Sequence, residues 1–149
     1  MLKFITVLLC FIALNSGAQE PTAFGYWYGT ANVKTTQTTS NYLVELVLQP
    51  ERGYVKGIIN YYFKNTYRSL AVKGNYNRTT RQLNLYDIPL TFYGASNNAE
   101  VDCMMNFQAI LQVAKNESHL KGSFISLPEY KYTCPEVAFN LSLNADISK

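Results

Sequence analysis

The chain has 149 residues, with 13 Lys and Arg against 10 Asp and Glu, and those charges are scattered along it rather than clustered. That distribution gives no basic stripe of the kind a nucleic-acid partner requires. No segment beyond the first residues is apolar enough to cross a membrane as a helix, so no membrane span is expected.

In chain order, the first element is a leader. Residues 1–18, MLKFITVLLCFIALNSGA, place Lys3 ahead of an apolar run from Phe4 to Leu14 and close on Ser16, Gly17 and Ala18. This is the pattern of a secretory signal peptide, with cleavage expected after Ala18. The run is shorter than the roughly 20 residues a spanning helix needs. Cys10 follows Leu8 and Leu9, whereas a lipoprotein signal has a small residue before its cysteine, so lipid attachment is not expected. Removing 18 residues from 149 leaves 131 (19–149), a length that suits one domain with a sizeable core. It also leaves Cys103 and Cys134 as an even pair, expected to form a disulfide in an oxidising compartment.

Residues 19–149 lack any long stretch of helical periodicity. Short runs rich in Tyr, Val, Ile and Thr are separated by turn-forming residues, predicting eight strands at about 26–33, 41–49, 54–63, 67–75, 82–88, 102–113, 119–126 and 134–143. In the sixth, Met105, Phe107, Ala109, Leu111 and Val113 share one face and Met104, Asn106, Gln108, Ile110 and Gln112 the other. In the eighth, Val137, Phe139, Leu141 and Leu143 alternate with Glu136, Ala138, Asn140 and Ser142. Each reads as a strand with one buried face.

An apolar-Lys-Gly triplet recurs at Val55-Lys56-Gly57, Val72-Lys73-Gly74 and Leu120-Lys121-Gly122. A glycine within a strand suits a sheet that bends sharply or bulges to close on itself. The connections at 50–53, 77–81 and 115–118 are short and polar, as hairpin turns are. Eight antiparallel strands joined in this way remove their edges by closing into an up-and-down barrel. A two-sheet β-sandwich is the competing architecture.

Gly25-Tyr26-Trp27 matches the glycine-x-tryptophan that opens the first strand of lipocalin and avidin-like barrels, and the chain resembles that superfamily in length and strand count as well. The resemblance implies a structural role for Trp27, plugging the closed end of the barrel. Two departures bear on the ligand sites. The late arginine that covers the tryptophan in lipocalins has no counterpart after Arg81, and the several tryptophans that surround biotin in avidins are reduced here to one. Neither site transfers to this sequence. In style the chain is similar to small secreted barrels of Gram-negative bacteria, whose leaders often end in alanine followed by glutamine, and this resemblance implies a periplasmic or extracellular location.

In an up-and-down barrel the three polar turns share one end. The other end takes the connections at 34–40, 64–66, 89–101 and 127–133, and it is rich in aromatic residues. Tyr61, Tyr62 and Phe63 enter one hairpin there and Tyr67 leaves it, while Phe92, Tyr93, Tyr130 and Tyr132 fall in predicted loops. Cys103 begins the sixth predicted strand and Cys134 the eighth, so a disulfide would tie these loops together. Tyrosine carries an apolar ring with a hydroxyl at its edge, suited to stacking on a ligand or anchoring a partner. The alternative is that these rings cap the core or reflect the strand propensity of aromatics.

No motif for catalysis is present: no Gly-x-Ser-x-Gly elbow, no His-Glu-x-x-His and no phosphate-cradling loop. His119 reads as a solvated residue at a strand start. Asp87, Glu100 and Asp102 flank the long loop in no recognisable ligand spacing. The triplets at Asn77, Asn116 and Asn140 match the glycosylation pattern by chance in a bacterial setting. The expected protein is non-enzymatic, needs no cofactor or metal, and binds a small apolar or amphipathic molecule at the aromatic end of its barrel. The second expectation is an interaction subunit that docks on an envelope protein through aromatic loops.

Overall fold

A computed structural model of the chain describes residues 20–34, 39–93 and 99–148. The leader and its cleavage point lie outside these residues. The strands are β1 (Gly25–Lys34), β2 (Thr39–Glu51), β3 (Tyr54–Phe63), β4 (Thr66–Asn77), β5 (Gln82–Tyr93), β6 (Glu100–Val113), β7 (Ser118–Ser126) and β8 (Val137–Leu143), with one 3-10 turn at Pro128–Tyr130. They follow one another around a closed barrel. Closure is made by β1 against β8, in antiparallel register from Trp27 opposite Leu143 to Val33 opposite Val137. That pairing decides for the barrel over the sandwich, because in a sandwich the first and last strands would leave open edges.

Alternation makes the barrel's inside and outside. Met105, Phe107, Ala109 and Leu111 of β6 are buried while Gln108, Ile110 and Gln112 face water, and Val137, Phe139 and Leu141 of β8 repeat the pattern. Each buried Leu or Phe removes enough apolar surface from water to contribute about 1.5–3 kcal/mol. In the interior Phe107 stacks on Phe139, with centroids 4.1 Å apart, and Phe124 meets both edge-on at 5.3 Å.

The glycines of the apolar-Lys-Gly triplets act by close approach rather than by bulging. A Cβ on Gly122 would collide with the carbonyl oxygen of Gln108, and one on Gly74 with that of Asn84. Neighbouring backbones therefore approach where the sheet coils most tightly. The one register shift, between Leu85 and Ile88 of β5, lies away from the triplets and skips Tyr86 and Asp87. Asp87 there has φ 55° and donates its N–H to Asn106 Oδ1 at 3.3 Å. Asp is among the few residues that accept this backbone conformation readily.

Three of the boundaries that differ from expectation bear on the site. Strand 5 continues through Pro89 to Tyr93, so Phe92 and Tyr93 belong to a strand and not to a loop. Proline is tolerated because its missing N–H falls on an edge that no neighbouring strand pairs. β6 accordingly starts two residues earlier than expected, at Glu100. Cys134 precedes β8, which starts at Val137, and sits in the turn after Pro128–Tyr130. The disulfide forms nonetheless: Cys103 of β6 and Cys134 are bonded and buried, with Cα atoms 6.1 Å apart and a sequence separation of 31. It fits an oxidising compartment.

Trp27 is fully buried at the hairpin end, its indole N–H donating to the Ala23 carbonyl at 2.9 Å. The residues before β1 and after β8 close over this end together. Asn144 donates its N–H to Tyr26 O at 2.8 Å, and Ser148 Oγ accepts the Tyr26 N–H at 2.9 Å. Gly25, at φ 131°, sits where a Cβ would press on Ser148. Trp27→Ala is expected to cost roughly 3–5 kcal/mol in denaturant melts, the range for large aromatic truncations in a core. Replacing both Cys103 and Cys134 by Ala is expected to cost roughly 3–4 kcal/mol in the same measurement.

Candidate functional site

The aromatic residues at the loop end divide by strand alternation into an inner and an outer set. Tyr61, Phe63 and Phe92 point inward and are buried. They pack around Tyr42 of β2, whose ring stacks on Phe63 at 4.2 Å and meets Tyr61 and Phe92 edge-on at 5.8 and 6.1 Å. Tyr62 and Tyr67 are cross-strand partners on the outside of β3 and β4, with centroids 4.7 Å apart. Tyr130 ends the 3-10 turn, half-buried against the core, and its carbonyl accepts the N–H groups of Thr133 and Cys134. Tyr132 is 95% exposed in the turn that follows. Tyr93 pairs with Glu100 through the strand backbone, and its side chain lies outside the described residues.

The inner set does polar as well as apolar work. β4 and β5 pair only from Gly74 opposite Leu85 to Asn77 opposite Gln82, and beyond the β5 bulge their ladder stops. β5 stays paired with β6 there, and Leu90, Thr91 and Phe92 are buried in succession, so both faces of the strand are covered. Its backbone groups turned away from β6 are met by two tyrosine hydroxyls. Tyr61 accepts the Thr91 N–H at 3.1 Å and donates to Pro89 O at 3.0 Å, and Tyr42 donates to Thr91 O at 2.7 Å. The Thr91 hydroxyl, 3.1 Å from that of Tyr61, donates to Asp102 Oδ1 at 2.7 Å. Burial holds the Tyr61 phenol above its ordinary pKa, against the lowering effect of its hydrogen bonds to Thr91. Tyr42 escaped the sequence reading because it lies mid-pattern in β2; its position on the inward alternation of that strand was the available signal.

The outer set extends far beyond the expected loop residues. Register aligns Leu43, Tyr62 and Tyr67 in one row across β2, β3 and β4, Tyr28, Glu45 and Asn60 in the next across β1, β2 and β3, and Tyr26, Val47 and Ile58 in a third. Tyr28 is 48% exposed, Leu43 59%, Ile58 49%, Tyr62 44% and Tyr67 53%. Asn60 donates to Glu45 Oε2 at 3.3 Å, and the Tyr26 phenol is raised by burial and by its hydrogen bond to Glu45. The opposite wall is mixed, with Asn84, Gln108 and Ser123 in one row and Lys121 beside Asn140 in another, and with Tyr86, Val101, Ile110, Val113 and Ile125 exposed among them. Two open depressions, of about 270 and 310 Å³, both lie on the outer surface, the first along β5 to β7 and the second beside Tyr28 and Ser142.

His119 joins two partners at the rim of the second depression. Its Nε2 lies 3.1 Å from Glu117 Oε2 and its Nδ1 3.2 Å from Ser142 Oγ. His119 and Ser142 are cross-strand partners of β7 and β8, so their contact follows from register. The order is the reverse of a hydrolase triad, in which Nε2 meets the hydroxyl, and the Glu117 side chain is largely exposed. Among the described residues no cluster of three or more His, Cys, Asp or Glu has the geometry to hold a metal ion. No known protein family and no curated protein matches this chain. The fold is compatible with a lipocalin-like barrel.

Tyr61→Phe deletes the hydroxyl that serves Pro89 and Thr91, and is expected to cost about 1–3 kcal/mol at neutral pH by leaving buried backbone groups unpaired. A raised phenol pKa favours the neutral form in the folded state. Its stabilising contribution is therefore present below the unfolded value of about 10 and is lost as pH rises beyond it. Melts above that pH are expected to show a declining limb that is shallower in Tyr61→Phe, with a residue of slope from Tyr26 and Tyr76, whose phenols burial also raises.

Proposed function

We propose that this protein is an exported, non-enzymatic binding protein that docks on a partner protein of the bacterial envelope through the outer wall of β1 to β4. The observation that carries this reading is the wall itself: five large apolar or aromatic side chains, Tyr28, Leu43, Ile58, Tyr62 and Tyr67, stand exposed in aligned rows on adjacent strands. Exposed apolar and aromatic side chains aligned across neighbouring strands mark a candidate interaction surface, and tyrosine is among the residues that anchor one. Export is supported by the leader pattern of residues 1–18 and fits the buried disulfide.

Two further observations support this reading. The interior is apolar and the wall of β5 to β8 carries Asn84, Asn106, Gln108, Lys121 and Asn140. A barrel that spans an outer membrane has the opposite arrangement, apolar outside and polar within. The second concerns the small apolar or amphipathic molecule that the aromatic end suggested. Tyr42, Tyr61, Phe63 and Phe92 fill that end with one another, and this favours a partner bound outside over a ligand held within. The Gly25-x-Trp27 start supports placing the chain beside lipocalin-like barrels in architecture, with its binding surface on the outer wall.

A photo-crosslinking phenylalanine analogue in place of Tyr28 or Tyr62, expressed in the full chain in its own cell, is expected to give a discrete protein adduct, while the same analogue in place of Gln112 gives none. The double substitution Tyr28→Ser and Tyr62→Ser is expected to abolish the interaction while changing stability by only about 0.5 kcal/mol per site, as surface substitutions do. No adduct, together with a carried small molecule found by native mass spectrometry, would replace this reading with the small-ligand one.

A further inference from the structure

We propose that the edge of β4 along Tyr67–Lys73 accepts an extended strand from the partner protein, and that this strand carries acidic side chains. The proposal rests on the protein-docking reading and specifies how the partner is held.

Along this stretch β4 is paired on one side only. Its residues match β3 from Tyr62 opposite Tyr67 to Lys56 opposite Lys73, whereas pairing with β5 is confined to Gly74–Asn77. A strand directs the N–H and C=O groups of alternate residues to alternate sides, so half of the backbone groups of Tyr67–Lys73 face the seam with no strand partner among the described residues. The departing strand does not share this deficit. Its bulge, the missing N–H of Pro89 and the hydroxyls of Tyr42 and Tyr61 settle the needs of β5 without β4. What results is an asymmetric seam, one side satisfied from within and the other presenting an unpaired edge. Tyr67, Arg68, Ser69, Ala71 and Lys73 are exposed along it. An unpaired edge is a template for an incoming strand, which gains affinity from main-chain hydrogen bonds and specificity from side chains.

The side chains select the occupant. β4, TYRSLAVKGNYN, contains Arg68 and Lys73 and no Asp or Glu. On the β6 side Asp102 and Glu100 accept hydrogen bonds from the hydroxyls of Thr91 and Thr66 and keep their charge, so the cations that an incoming strand meets are those of β4 itself. Arg68 lies on the face of its cross-strand partner Tyr61 and Lys73 on the face of Lys56, so each face of the edge carries one cation, and a second copy of this chain would add the same cations with no carboxylate on either strand to offset them. Cations on an edge strand are a device against self-association, and the same cations favour a strand with carboxylates, since like charges at an interface exclude the wrong partner. The edge is also continuous with the aromatic wall, because Tyr67 belongs both to β4 and to the row of Tyr62 and Leu43. A strand added here widens that wall by one strand.

The test uses the full chain as it is exported, and a short fluorescein-labelled peptide of alternating Val and Thr carrying Glu residues, with its Lys-for-Glu counterpart as control. Fluorescence anisotropy is expected to show binding of the acidic peptide, weakened by roughly tenfold or more in Arg68→Glu with Lys73→Glu, which in turn prefers the basic peptide. Amide exchange read by mass spectrometry is expected to slow by about tenfold or more at seam-facing positions of Tyr67–Lys73 when the acidic peptide is present. Three results would overturn the proposal: no protection of Tyr67–Lys73 with peptide bound, binding indifferent to charge reversal, or a dimer of this chain that protects the same amides without peptide. Crosslinking from Tyr28 and Tyr62 that persists while Tyr67–Lys73 stays unprotected in the captured complex would overturn the strand-addition mode alone and leave the docking wall standing.

Discussion

The hydroxyl of Tyr61 holds the loop half of this barrel together. A closed sheet normally satisfies each strand from both neighbours, but here the fourth and fifth strands share a ladder only near their hairpin. Beyond it the fifth strand bulges and continues through Pro89 paired with the sixth strand alone, and unpaired backbone groups on its other side would each cost free energy. Tyr61 and Tyr42 reach across the interior and meet those groups, and Thr91 passes the chain of hydrogen bonds to Asp102 at the surface. The position of the buried strand, the filling of the barrel mouth and the unpaired edge of the fourth strand all follow from that one arrangement.

Filling the mouth changes what the barrel is for. Eight strands enclose only enough space for side chains or one small ligand, and here two aromatic groups occupy it, Phe107, Phe124 and Phe139 in one and Tyr42, Tyr61, Phe63 and Phe92, toward the loops, in the other. Interiors packed in this way resist deformation. With Trp27 buried at one end and the disulfide tying the other, the barrel is a closely packed frame, and the proposed docking surface lies on its outside. The rows of Tyr28, Leu43, Ile58, Tyr62 and Tyr67 then make sense as side chains held at fixed spacing by strand register.

The candidate site was legible in part. Tyr62 and Tyr67 are outward aromatics in a hairpin, and adjacency in Tyr61-Tyr62-Phe63 alone requires opposite faces, so one exposed ring was foreseeable. Tyr28, Leu43 and Ile58 were not, because each lies in a different strand and becomes a neighbour of the others only through cross-strand register. His119 with Ser142 is another such juxtaposition, made by pairing between the seventh and eighth strands. The bulge at Tyr86 and Asp87 left no mark that distinguishes it from a strand end before proline, which is why Phe92 and Tyr93 read as loop residues.

The sequence by itself determined the all-β class, the eight strands in order, the inward faces of the sixth and eighth strands apart from Val113, which is exposed, and the pairing of Cys103 with Cys134. Those depend on period-two alternation, turn chemistry and the count of cysteines, all of which are local or arithmetic properties of the chain. The tertiary structure alone decided that the fifth strand parts from the fourth, that Tyr61 and Tyr42 replace its missing partner, and that exposed aromatics stand together on β1 to β4. These depend on which residues of distant strands stand opposite one another, and register is a property of the closed sheet that no single strand contains.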